Sequence, residues 1–117
     1  MQEIQDDILM AFNEGDEKAF SAVFKFYYRE IFHFCDKLTG NTEEAKDITS
    51  RTFTSLFRLH KGFNTSVNIK AFLYITARNN SFNYLKSEKR SRNHQKQIAD
   101  EQSRQPSLEL DQSLDPS

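Results

Sequence analysis

Helix-breaking residues are scarce in this sequence, which has 3 Gly and 2 Pro, with both prolines, Pro106 and Pro116, near the C-terminus. So few breakers upstream of residue 105 argue against a strand-and-turn architecture and for long helices. Cysteine is represented by Cys35 alone, which rules out an internal disulfide and fits a reducing cytoplasm. No apolar run approaches the roughly 18 residues needed to span a bilayer. The acidic N-terminus MQEIQDDILM is unlike a signal peptide, so the expected location is cytoplasmic, without a membrane partner. Apolar residues are also few, at 37%, and mean hydropathy is −0.75. Part of the 117 residues is therefore expected to lie outside any core, and the length suits one domain.

The net charge of −1 hides an uneven distribution. Residues 1–50 hold 5 Lys/Arg against 11 Asp/Glu, a net −6. Residues 51–98 hold 10 against Glu88 alone, a net +9, and residues 99–117 carry −4. One segment thus brings a basic surface to a protein that is otherwise acidic.

Four helices can be read. Ile4, Ile8, Leu9 and Phe12 repeat at helical spacing from about Ile4 to Asn13. Gly15 ends that pattern, and Asp16 is a plausible N-cap for a helix running to about Leu38. Its broad apolar stripe is Phe20, Phe24, Tyr27, Tyr28, Ile31, Phe34 and Leu38, with Phe26 and Phe32 off it, and Gly40 closes it. Asn41-Thr42-Glu43-Glu44 reads as a capping box for a third helix to about His60, its face formed by Ala45, Ile48, Thr49, Thr52, Phe53, Leu56 and Leu59. Lys61 to Asn68 reads as a loop with an exposed-looking Phe63. A fourth helix starts near Ile69 and runs well past Leu85, with Ile69, Phe72, Leu73, Thr76, Asn79 and Asn80 on one face. The expected fold is all-α, a small bundle of about four helices over residues 1–98 with an aromatic core. Residues 99–117, polar, acidic and rich in Ser and Gln, read as a disordered tail or linker, because they bury too little apolar area to offset ordering.

Enzyme chemistry has little support. His33, His60 and His94 are far apart, and His33 and Cys35 point in different directions on a helix, so they do not share a metal readily. Glu43, Glu44 and Asp47 suit the first turn of a helix through its dipole. There is no Gly-rich phosphate loop and no nucleophile elbow, and no cofactor is expected. Nucleic-acid binding fits better. Lys70, Arg78, Lys86, Lys89, Arg90, Arg92 and Lys96 load the fourth helix with phosphate-neutralising cations. Tyr74, Asn79, Asn80, Asn83 and Tyr84 lie among them, and such rings and amides suit a single-stranded or partly melted target. Tyr74 and Tyr84 read equally well as core rings with a hydroxyl at the edge.

Three blocks add a family resemblance over roughly residues 10–92. Gly15-Asp16-Glu17-Lys18-Ala19-Phe20 followed by Tyr27-Tyr28 resembles the opening of the second conserved region of extracytoplasmic-function sigma factors. Ala45-Lys46-Asp47-Ile48 with Phe53 resembles that family's A-E-D-(hydrophobic)-x-Q-E-x-F stretch. Ala71-Phe72-Leu73-Tyr74-Ile75-Thr76-Ala77-Arg78-Asn79 with Asn83-Tyr84-Leu85-Lys86 resembles A-W-L-x-x-I-A-x-N-x-x-x-D-Y-L-R.

The resemblance implies a transcription initiation factor with two surfaces. The third helix would dock on the coiled coil of the RNA polymerase β′ subunit through Asp47, Ser50, Arg51 and Thr54. The loop and fourth helix would take the non-template strand of the −10 promoter element and help melt it. Phe63, Asn64, Thr65 and Ser66 would hold one flipped base, while Lys70, Tyr74, Arg78, Asn79, Asn80, Asn83, Lys86, Lys89 and Arg90 would line the strand. An anti-sigma factor is a further partner the family suggests. Departures from the family pattern are Ser50-Arg51 for Gln-Glu, Phe72 for Trp, Thr76 for an aliphatic residue and Asn83 for Asp. Members also carry a C-terminal helix-turn-helix domain after a linker, so the chain is expected to be part of a longer protein. Two other readings compete: a helical interaction module of the transcription machinery without DNA contact, and a nucleic-acid binder working by charge alone, with steep salt dependence and no sequence preference.

Overall fold

The computed structural model describes residues 4–99, with side chains to Gln95. Four α-helices make up the fold: α1 (Asp6–Asn13), α2 (Glu17–Thr39), α3 (Thr42–Arg58) and α4 (Ser66–Ala99), with a 3-10 turn, His60–Gly62, between α3 and α4. No strand occurs among the described residues, and the all-α bundle is as expected. The tail expected from residue 99 onward lies, apart from Ala99, outside the described residues.

The helix ends follow local chemistry. Asp16 Oδ1 accepts from the Lys18 amide at 3.2 Å and caps α2, satisfying one of the amides a helix start leaves free. At the other end Gly40 takes a left-handed φ of 68°, where a β-carbon would be strained. Asn41 Oδ1 accepts from the Glu44 amide at 3.0 Å, the forward half of the expected capping box. The return half does not form. The Asn41 amide donates to Thr39 Oγ1 at 3.1 Å, and the Glu44 carboxylate instead stands 3.7 Å from Arg51.

Helices α2, α3 and α4 pack on one another, and α1 lies against α2 and the 3-10 turn. The buried axis of α2 is Ala19, Val23, Tyr27, Ile31 and Cys35, an i, i+4 row. The expected stripe was therefore offset. Phe20, Phe24, Tyr28 and Phe34 fill the flanks together with Phe32. From α3, Ala45, Ile48, Thr49, Thr52, Phe53 and Leu56 are buried, as expected. Leu59 is not, at 55% exposure, because α3 ends at Arg58 and the chain turns away. Helix α4 contributes Ile69, Leu73, Ala77 and Ser81, again four apart. Thr49 and Thr52 satisfy their hydroxyls inside the core by donating to Ala45 O and Ile48 O at 2.7 and 2.8 Å.

Two boundaries differ from expectation for one reason. Thr65 Oγ1 accepts from the Asn68 amide at 3.1 Å, an N-cap that starts α4 at Ser66 and not near Ile69. With the 3-10 turn occupying His60–Gly62, the irregular stretch shrinks to Phe63, Asn64 and Thr65. The far end of α4 leaves the bundle: every residue from Ser87 to Gln95 is exposed. The molecule is accordingly long, 64 × 25 × 23 Å.

Candidate nucleic-acid interface

The three-residue connection before α4 is held from behind by α1. Asn13 Nδ2 donates to Phe63 O at 2.7 Å and to Lys61 O at 3.1 Å, with His60 O at 3.5 Å. The contact is mutual, since His60 Nδ1 lies 3.0 Å from Asn13 O. That backbone oxygen only accepts, so Nδ1 carries a proton here. Gly15, at φ 88°, lets the chain pass the imidazole, which would meet an added β-carbon at 3.1 Å. Phe63 corrects the sequence reading. Its ring is half-buried and edge-on to Phe12 and Phe72, with centroids 6.5 and 5.3 Å away. It is a wedge beneath the connection. Ser66 is buried, which leaves the side chains of Asn64 and Thr65 as the exposed pair.

On α4 the residues singled out from the sequence divide among three directions. Lys70 and Tyr74 turn toward α2. The Tyr74 hydroxyl donates to Glu30 Oε2 at 2.7 Å, Lys70 Nζ lies 3.8 Å from the same oxygen, and the Tyr74 ring meets Phe34 edge-on at 4.9 Å. Burial and the bound, negatively charged Glu30 together push the Tyr74 pKa up to about 12, because a phenolate there would lose water and face a carboxylate. Asn80 turns toward α3, its Nδ2 3.5 Å from Thr52 Oγ1. Tyr84 accepts from Asn41 Nδ2 at 3.1 Å and packs on the core. Of the two readings left open for Tyr74 and Tyr84, the packed ring with a hydroxyl at the edge is the one found.

The third direction is solvent. Arg78, Asn79, Asn83, Lys89 and Arg90 are exposed, with Lys86 half-exposed among them. Asn79, Asn83, Lys86 and Arg90 follow at i, i+4, i+7 and i+11, so they form one line along the helix. The Arg78 guanidinium sits 5.0 Å over the Phe82 ring, a cation–π contact that holds it against the helix surface. Asn68 occupies the same register eleven residues before Asn79 and is also exposed. With Asn64 and Thr65 it extends the line of polar groups back to the connection.

The solvent face of α3 carries the other set. Asp47, Ser50, Arg51 and Thr54 are all exposed, at i, i+3, i+4 and i+7. Arg51 bridges two acids, with Nη2 at 3.1 Å from Asp47 Oδ2 and 3.7 Å from Glu44 Oε2. The base that replaces a family acid thus leans over Asp47 instead of projecting separately.

The model of the sigma-70 region 2 family matches residues 23–91. The chain belongs to that family. The match runs from Val23, about two turns into α2, to the exposed part of α4, so both surfaces described above fall within it. No curated protein matches the chain, and no solved structure does. Sigma-70 region 2 is a part of transcription initiation factors and not a family of enzymes, and it implies interaction with core RNA polymerase and promoter DNA. Among the described residues no helix is long and apolar enough to cross a membrane.

Three residues that shape the candidate interface were not singled out from the sequence. Asn13 looked like an ordinary helix end, and its partners lie about 50 positions away, so no local signal existed. Glu30 did leave one: an acid between Tyr27-Tyr28 and Ile31, on the side of a helix that packs. Asn68 becomes visible once Thr65 is recognised as the cap, since its register with Asn79 then follows from helical geometry.

Proposed function

We propose that this sigma-70 region 2 chain belongs to a sigma factor of the extracytoplasmic-function type, acts in the cytoplasm, and recognises and helps melt the −10 promoter element. The observation that carries the reading is the solvent line of α4. Along it the amides Asn68, Asn79 and Asn83 are followed by the cations Lys86 and Arg90, and Glu88 is the one acid in the whole of α4. Cations neutralise phosphates without regard to sequence, while amides offer both donor and acceptor to base edges. A non-template strand laid along Asn68, Asn79, Asn83, Lys86 and Arg90 would reach Asn64 and Thr65, where an unstacked base is captured above the buried Ser66. Phe63 supports that pocket from below. Lys70, Tyr74 and Asn80, being engaged with Glu30 and Thr52, act in this reading by fixing α4 against α2 and α3.

Polymerase docking is assigned to the α3 face of Asp47, Ser50, Arg51 and Thr54 against the β′ coiled coil. An anti-sigma factor, where one exists, would act by covering these same surfaces. The decisive experiment is binding of core polymerase, or of its β′ coiled-coil fragment, to the wild-type chain and to Asp47→Arg. The expected result is binding by the wild type that the variant loses, because reversal at Asp47 also leaves Arg51 without its closest partner. A folded wild-type chain that binds neither would favour the module without DNA contact.

A further inference from the structure

The net −6 of residues 1–50 conceals a basic face. The acids of that half concentrate at helix starts: Asp6 and Asp7 in the first turn of α1, Glu43 and Glu44 in that of α3. There they complement the amide ends of the helices. On α2, opposite the buried axis from Ala19 to Cys35, the exposed residues are Ser21, Lys25, Arg29, His33 and Lys37. The acids of α2 stand apart from this row. Glu17 lies in the first turn, Glu30 is held by Tyr74 and Lys70, and Asp36 accepts from Thr42 at 3.1 Å. Among the described residues Lys25, Arg29 and Lys37 enter no ion pair.

The row has a pitch and a destination. Lys25, Arg29, His33 and Lys37 are four residues apart, so each step rises about 6 Å and drifts about 40° around the helix. The drift carries the row toward α4. His33 is three residues from Glu30 and Lys37 three from Phe34, and such pairs are neighbours on a helix surface. Glu30 and Phe34 are the α2 residues that meet Lys70 and Tyr74. The row therefore begins on the far side of α2 and ends beside the α2–α4 seam, where the basic surface of α4 begins.

We infer that this α2 row is a second nucleic-acid contact, a track for the phosphodiester backbone of the DNA held on α4; it rests on the DNA-binding reading given above. Unpaired cations on one helix face, spaced by multiples of four residues, suit a polyanion of regular repeat. A protein partner would need buried apolar anchors at the centre of its contact, and Phe26, at 38% exposure, is the one large apolar side chain exposed on α2. The contact carries no base preference. It adds affinity, salt dependence and a direction for the strand as it leaves α4.

The test uses the full chain and a fluorescein-labelled duplex with an unpaired −10 non-template strand, its affinity followed by anisotropy over a series of salt concentrations. The triple variant Lys25→Gln/Arg29→Gln/Lys37→Gln alters exposed positions only, and circular dichroism checks its fold. Each phosphate contact contributes about 0.7–0.9 to the slope of log K against log salt. The expected result is a slope shallower by about 2, an equal loss of affinity on matched and scrambled −10 sequences, and retained preference between them. In parallel, Asn79→Ala/Asn83→Ala should lose that preference while keeping its slope. An unchanged slope in the triple variant, with the preference still lost in the α4 variant, overturns the inference and leaves the −10 reading intact. No DNA binding by the wild type sinks both. An unchanged slope with loss of β′-fragment binding makes the row a protein contact and overturns the inference equally.

Discussion

Replacing Asn13 by alanine tests whether α1 builds the connection that precedes α4. The side chain donates two good hydrogen bonds, at 2.7 Å to Phe63 O and 3.1 Å to Lys61 O. An amide nitrogen has only two protons, so the 3.5 Å approach to His60 O shares one of them and adds little. Each bond is worth about 0.5–1.5 kcal/mol net, and Asn13 is half-buried, so water replaces only part of what is lost. The expected cost is about 1–3 kcal/mol, a drop in melting temperature of roughly 5–15 °C for a domain of this size. Loss of stability alone would not separate this role from a packing role. The second readout is the environment of the connection, reported by 2-aminopurine at the position of a −10 strand proposed to flip. Asn13→Ala should reduce that fluorescence change at a temperature where circular dichroism shows the variant fully folded. Retained stability within about 0.3 kcal/mol, or a full 2-aminopurine response, would refute the reasoning.

Three further outcomes follow from the same geometry. Tyr74→Phe removes the hydroxyl that donates to Glu30; the site is partly open to solvent, so the loss in urea melts at neutral pH should be about 0.5–1.5 kcal/mol. The wild-type phenol, raised to about 12 from 10.0, favours the fold while protonated. Stability should be complete below pH 10 and fall as pH rises toward 12, a component that absorbance at 295 nm should not find in the variant. The Cys35 thiol is buried and its pKa is raised, chiefly by desolvation, against the pull of Thr49 and Ser81, so alkylation at pH 8 should track unfolding and leave native protein unmodified. Gly40→Ala meets no neighbour but forces a left-handed alanine, at a cost of about 1–2 kcal/mol read from thermal melts.

What the sequence made legible was the part governed by nearest neighbours along the chain. Asp16, Gly40 and Asn41 declare helix ends through bonds spanning a few residues, and the face of α3 from Ala45 to Leu56 is a matter of period. Contacts between distant segments were beyond it. Phe63 looked exposed because its neighbours are polar, whereas Phe12 and Phe72, from two other helices, cover its ring. Lys70 and Tyr74 sit among cations in the sequence, and no local signal shows that a carboxylate 40 and 44 positions upstream engages both. Segment charge misled in the same way. It averaged α2 with the acidic turns at either side, while the folded helix sorts its lysines and arginine onto one face.

The way α4 outgrows its bundle gives a single continuous helix two different sources of order. Between Ile69 and Tyr84 the backbone is anchored by side chains packed on α2 and α3, and amide exchange there must wait for global unfolding. From Ser87 to Gln95 no side chain is buried, and a free helical stretch of that length is marginal in water. Its amide protection should decay residue by residue, like the free end of a clamped rod. Lys89 and Arg90 sit on that graded end, so a polyanion binding there would be expected to extend protection outward, and the number of newly protected amides would count how far along the rod the ligand reaches.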